Sequence, residues 1–198
     1  MKARKVKKLD PSASLERNAA RIVRVRLAEL RSFAPEALRP ESSGAQHDMR
    51  IAAKRLRYVL EATELCFGKP AARARRRARD LQGVLGELHD CDVMLPRVEA
   101  HLADLRERDA ESVRLSAGAA DDLDPALAAR APHRDAYRGL EILAVHLRAR
   151  RGLLFDRFTE AWEERERDRT WDALERAAEA ILDRGGKRQE AAVLPSTE

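Results

Sequence analysis

The segment HDMRIAAKRLRYVLE, residues 47–61, carries two chemistries on one short run of chain. At roughly 100° per residue, Met49, Ala52, Ala53, Leu56, Val59 and Leu60 fall on one helical face. His47, Arg50, Lys54, Arg57 and Tyr58 fall on the opposite face, with Arg55 at its edge. No acid lies between Arg50 and Arg57. Neighbouring like charges on a helix repel, so such a stripe is mildly unfavourable without a counter-anion. Guanidinium groups grip phosphate oxygens bidentately, and a lysine adds a compact charge. A histidine beside an anion is driven toward its cationic form, and a tyrosine hydroxyl donates to an oxygen. The pattern is that of a surface for a multiply charged oxyanion.

A second basic run, Lys69 to Arg79, repeats the theme with six cations and no acid. Helical spacing puts Arg75, Arg79, Gln82 and His89 on one stripe, where Gly86 leaves room for a close approach. Arg73, Arg76 and Arg77 flank it. If the two basic segments form an antiparallel hairpin, their charged faces converge on one groove. His89, Asp90 and Asp92 form the only compact group able to suggest a metal, and they read as a helix cap and surface turn. No metal and no cofactor is expected. His101, His133 and His146 are scattered and read as structural, and nothing pairs a nucleophile with a base, so no catalytic residue is assigned.

The elements that must position these groups follow from composition. The 198 residues suit one domain, and the 37% charged and 4% aromatic fractions, rich in Ala, Arg, Leu and Glu, favour helices over sheet. No apolar run approaches the length of a membrane span, and no apolar segment follows the basic start, so neither membrane insertion nor a signal peptide is expected. Cys66 and Cys91 make no disulfide framework, which points to a reducing cytoplasm. The net charge of +5 conceals segregation. The two basic segments hold ten cations and the first eight residues five more, leaving the remainder net acidic. Segregated charge draws an anionic partner to one region.

The expected fold is all-α, a bundle of about six helices. Residues 1–9 read as a disordered basic arm, 10–184 as the helical domain and 185–198 as a disordered tail. Asp10-Pro11 suits the start of a first helix running to about Phe33. Residues 34–45 form a connection, and a second helix spans Gln46–Cys66, closed by Gly68 and Pro70. A third starts near Pro70, residues 85–92 mark a helix end and corner, and a fourth spans Val93–Arg108. Residues 109–133 read as a long connection. A fifth helix spans Asp135–Arg167, with Tyr137, Leu140, Ala144, Leu147, Leu154, Phe158 and Trp162 as its buried stripe. Residues 163–169 alternate in sign and read as a solvated face with i,i+4 pairs. The sixth helix carries Trp171, Leu174, Ala178 and Ile181 and ends at Gly185-Gly186.

HDMRIAAKRLRYVLE followed by LQGVLGELHDCDVMLPRVEAHL resembles the CHAD domain family, an α-helical family named for its histidines. The resemblance rests on His47, Arg50, Lys54, Arg55, Arg57, Tyr58 and Glu61, and on the later Leu85, Gly86 and Asp90; its strong part covers residues 46–105. It implies a CHAD-like helical domain that binds inorganic polyphosphate through a basic surface, often at polyphosphate granules, with the histidines in the anion site. By that analogy His47, Arg50, Lys54, Arg55 and Arg57 are the first ligands, with Arg73, Arg76, Arg79 and His89 next. Family members are usually longer, with two related bundles around a basic cavity. One clear copy of the motif is present here, so either a second copy has diverged, with His133–Arg151 the best candidate, or a homodimer completes the cavity. The acidic cluster alternating with lysine that marks fused triphosphatase domains is missing, so hydrolysis is not implied.

Three rivals accompany a non-catalytic polyphosphate-binding module. A basic bundle binds nucleic acid weakly through its phosphates, but these faces carry almost no Asn or Gln for base edges and few aromatics for stacking. A metal-dependent phosphohydrolase needs carboxylates that cannot be placed here. A scaffold would dock an acidic protein on the same face.

Overall fold

Small and large apolar residues alternating at helical spacing set the elements. The computed structural model describes residues 2–193, with side chains through Arg184. In order they are α1 (Leu15–Ala37), α2 (Ser43–Phe67), α3 (Lys69–Ser116), α4 (Pro125–Ala128), α5 (Arg134–Arg167) and α6 (Thr170–Val193). No strand occurs among the described residues, and the fold is all-α. None of these helices is long and apolar enough to cross a membrane.

The chain divides into two units, residues 1–87 with 155–198, and Leu88–Leu154. In the first, Ala20, Val23, Leu27 and Leu30 of α1 are fully or almost fully buried, as are Met49, Ala52, Ala53, Leu56 and Leu60 of α2. Each fully buried leucine contributes about 1.5–3 kcal/mol. The alanines let backbones approach closely, which suits the 0% exposure of Ala71, Ala74 and Ala78 on α3. Trp162 and Trp171 pack at the α5–α6 corner with ring centroids 6.2 Å apart. Arg31 of α1 reaches Glu175 of α6 at 3.0 Å and also pairs with Asp172.

In the second unit, Val98, Leu102 and Leu105 of α3 and Ala144 and Leu154 of α5 are buried. Asp109, 3% exposed, accepts hydrogen bonds from the Tyr137 hydroxyl and the His133 backbone and lies 2.7 Å from His133 Nδ1, which ties the start of α5 to α3. Burial alone pushes the Asp109 carboxyl up, but the hydrogen bonds from Tyr137 and His133 outweigh it and hold the pKa below the ordinary value. The residues expected as the α5 stripe are buried or half-buried throughout.

Several expectations need correction. Asp10 does not cap a helix; its carboxylate accepts from Ser12 N, and its backbone exchanges hydrogen bonds with Asn18. The cap is Ser14, whose hydroxyl accepts from Arg17 N, and α1 continues past exposed Pro35 to Ala37. The corner at residues 85–92 is absent, because Leu85, Leu88 and Cys91 keep their buried helical spacing and α3 runs straight through. Asp92 meets Arg151 at 2.6 Å instead of capping. Six helices remain only because four-residue α4 interrupts the connection at 109–133, most of whose first third is the end of α3. Gly185-Gly186 does not end α6, since a glycine stops a helix where it turns to positive φ and both of these keep helical backbone. Residues 194–198 lie outside those described.

The arm, expected to be disordered, has no helix or strand but is tied to α1. The Arg4 amide donates to Glu29 Oε1 at 3.1 Å, its guanidinium donates to Ser32 Oγ at 2.7 Å, and Arg26 donates to the Arg4 carbonyl at 3.0 Å. Glu29 is 1% exposed and also pairs with Arg26 at 2.5 Å and with Arg55 of α2 at 3.1 Å.

Two stability predictions follow from these contacts. Glu29→Ala is expected to cost about 2–3 kcal/mol, the low end for a broken buried pair because both arginines still reach water. Urea unfolding checks this, and a change below about 0.5 kcal/mol, the ordinary range for a surface site, refutes the role. Gly68 sits at φ 62, ψ −136 with nothing within 4 Å of an added Cβ. Gly68→Ala therefore tests backbone strain alone, with an expected loss of about 1–3 kcal/mol in the same assay.

Candidate functional site

Gly68 alone separates α2 from α3, and its amide closes α2 on the Glu64 carbonyl at 2.9 Å. Two contacts show that the helices then run antiparallel. Glu64 meets Arg75 at 2.6 Å near the turn, and Arg50 Nε lies 3.5 Å from where a Gly86 Cβ would stand. The expected hairpin is present, and the space beside Gly86 is taken by Arg50 itself.

On α2 the cationic face forms as its spacing requires. Arg50 and Arg57 are half-buried, whereas Lys54 and Tyr58 are exposed. The Tyr58 ring lies between two cations, with Arg57 Cζ 4.6 Å and Lys54 Nζ 5.8 Å from its centroid. This use of the ring, not merely the hydroxyl, was missed, although the i,i+4 spacing from Lys54 to Tyr58 signals it. Arg57 also pairs loosely with Glu61 at 3.7 Å. Among the described residues Arg50 and Lys54 have no carboxylate partner. The Nε atoms of Arg50 and Arg57 and the Oε1 of Gln82 are buried without a hydrogen-bond partner. His47 is half-buried in the first turns of the same helix. The face thus combines three cations with buried donors left unsatisfied, and an unmade buried hydrogen bond costs about 1–3 kcal/mol.

The other expected residues divide differently. Arg55 is directed to Glu29 and serves the fold. Arg73 reaches Asp168 at 2.8 Å, and Arg77 meets Glu164 at 2.8 Å and Asp168 at 3.2 Å. Arg79 pairs loosely with its neighbour Asp80 at 3.7 Å, while Arg76 is exposed with no acid partner among the described residues. His89 belongs to the second unit, half-buried on α3. The run at 163–169 is thus not merely a solvated face. Glu164 and Asp168 neutralise α3, Arg165 is only 3% exposed, and Arg167 with Glu163 at 3.9 Å is the expected kind of i,i+4 pair. Among the described residues no group of three metal-binding side chains converges.

Asp168 is the acid that α3 depends on. Burial raises its pKa, but hydrogen bonds from Thr170 and Arg73 prevail and hold it below the ordinary 3.8. A depressed carboxylate pKa stabilises the fold above the unfolded value and loses that contribution as pH falls through the folded one. Asp168→Asn is therefore expected to destabilise the protein at neutral pH, with the gap from wild type closing as pH falls below 3.8. Thermal midpoints across that range check it, and a gap independent of pH refutes the charge contribution. Arg73→Ala should likewise lower stability while leaving anion affinity unchanged.

No curated protein and no solved structure matches the chain. The family model described as the CHAD domain matches residues 2–99. That stretch holds the arm, α1, the whole cationic helix α2 and the α3 segment facing it, and this part of the chain belongs to the CHAD domain family.

Proposed function

We propose that the chain binds inorganic polyphosphate on the α2 face, through Arg50, Lys54, Arg57 and Tyr58 with His47 beside them, and performs no catalysis on it. The observation that carries this reading is the asymmetry of partners. Arg55, Arg73, Arg75 and Arg77 face carboxylates within 3.1 Å, whereas Arg50 and Lys54 have none among the described residues. A repeating phosphate chain supplies one negative oxygen after another along a row of cations spaced by a helical turn. Arginine forks take two oxygens each, and the ammonium of Lys54 adjusts to the chain. Binding releases counterions and so weakens steeply with salt. The cytoplasm, and polyphosphate granules within it, are the address that goes with such a ligand.

The test replaces Arg50, Lys54 and Arg57 together with alanine. None of the three is in the core, so helicity should persist. Affinity for long-chain polyphosphate should fall by at least about tenfold, since each charge-assisted contact contributes about 1.5–3 kcal/mol. The slope of log affinity against log salt should flatten by roughly one per cation removed. Unchanged affinity in the folded variant refutes the site. Equal binding of duplex DNA and polyphosphate at one salt concentration reduces the face to a generic basic surface. Release of orthophosphate from polyphosphate with magnesium or manganese overturns the non-catalytic part.

A further inference from the structure

The arm and α1 build a second cationic cleft in the first unit. It has a volume of about 400 Å³ and is lined by Lys5 and Lys7 of the arm and Arg21 and Arg24 of α1, over a floor that includes Val25 and Leu182. The arm is held in place by contacts that do not involve the lysine charges. Glu29 accepts from the Arg4 amide, Arg26 donates to the Arg4 carbonyl, and Arg21 donates to the Lys8 carbonyl. Lys5 and Lys7 are therefore carried on a fixed backbone with their ammonium groups exposed.

Charge makes this an unusual place to fasten a basic segment. Laying Lys5 and Lys7 across a helix that presents Arg21 and Arg24 brings like charges together, which an unfastened arm would relieve. The one carboxylate lining the cleft, Glu175, is already paired with Arg31 at 3.0 Å. Arg24 reaches only Glu179, at 3.7 Å and with both side chains close to half exposed, and such a pair contributes little. An anion in the cleft turns this repulsion into four attractive contacts. The lining holds no aromatic ring on which a base would stack, and its volume admits only a few phosphate groups.

We propose that this cleft is a second oxyanion site, separate from the α2 face, which takes a short run of inorganic phosphate groups and gives the chain a second grip on the same polymer. The identity of the anion rests on the polyphosphate reading; the cleft and its charge do not. Two grips on one polymer make affinity depend on chain length, because the second contact becomes intramolecular.

Isothermal titration with inorganic tripolyphosphate at low fixed salt tests it on three proteins of full length. These are the wild type, the arm variant Lys5→Ala/Lys7→Ala/Arg24→Ala and the face variant Arg50→Ala/Lys54→Ala/Arg57→Ala, each checked for helicity. The expected stoichiometry is two per chain for wild type and one for either variant. Long-chain polyphosphate should bind either variant at least about tenfold more weakly than wild type, as follows from losing one of two linked contacts. One equivalent in wild type that survives in the arm variant and vanishes in the face variant overturns the cleft and leaves the α2 reading standing. One equivalent with the reverse pattern supports the cleft and sinks the α2 reading. No binding of tripolyphosphate to wild type overturns the cleft.

Discussion

A single buried carboxylate, Glu29, sets the arrangement on which the charged surfaces depend. At 1% exposure its charge is tolerable only because Arg26, Arg55 and the Arg4 amide surround it. Each partner comes from a different piece of chain. Arg26 keeps the carboxylate oriented within α1, Arg4 fastens the arm, and Arg55 fixes the rotation of α2 about its axis. That last contact has the widest consequence. Residues one apart on a helix diverge by roughly 100°, so turning Arg55 inward turns Lys54 outward and places Arg50 beside Gly86 of α3. The apolar residues beneath, Met49, Ala52, Leu56 and Leu60, agree with the same rotation, all at 0% exposure.

The cations then fall into two classes that composition does not separate. Those of α3 largely serve the fold. Arg75 is matched by Glu64 within the hairpin, and Arg73 and Arg77 are matched by Glu164 and Asp168 from the α5–α6 corner. Asp168 also accepts from Thr170 N at 3.0 Å at the start of α6, so one carboxylate joins a helix start to the flank of another helix. The α2 face receives no such treatment. Its acid, Glu61, reaches only Arg57, and at 3.7 Å.

Much of this was legible in the sequence, and the parts that were not share one cause. Helix α2 was readable almost to its ends because a glycine required at positive φ closes it and apolar residues at helical spacing run along it, across a kink at Thr63. The cationic face followed from the same periodicity, as did α5 and its buried stripe. The false corner at residues 85–92 came from reading Gly86, Asp90 and Asp92 by local preference, whereas burial of Leu85, Leu88 and Cys91 keeps their helical spacing and α3 continues. The arm was misjudged for a related reason. Lysine-rich termini are usually free, and nothing local announces that a glutamate 25 residues away accepts its backbone amide. Likewise no spacing rule pairs Arg77 with Glu164, or Arg55 with Glu29. Local periodicity reveals which residues share a face; only the fold reveals which charges on that face are already answered.

That difference is what supports the site proposed on the α2 face. Several other arginines of the first unit are matched with carboxylates, one of these carboxylates buried, although exposed Arg76 is not. A sequence able to place Glu29, Glu64, Glu164 and Asp168 against arginines has the means to neutralise Arg50 and Lys54 as well. Leaving two cations unmatched, with the Nε atoms of Arg50 and Arg57 shielded from water and unbonded, sacrifices stability locally. Such a local inconsistency, where unmatched cations and unbonded donors coincide on one face, is the kind of place where function is expected. On the proposed polyphosphate reading, a row of phosphate oxygens would supply what the face lacks, and the energy the bare fold forgoes there would become available to hold the ligand.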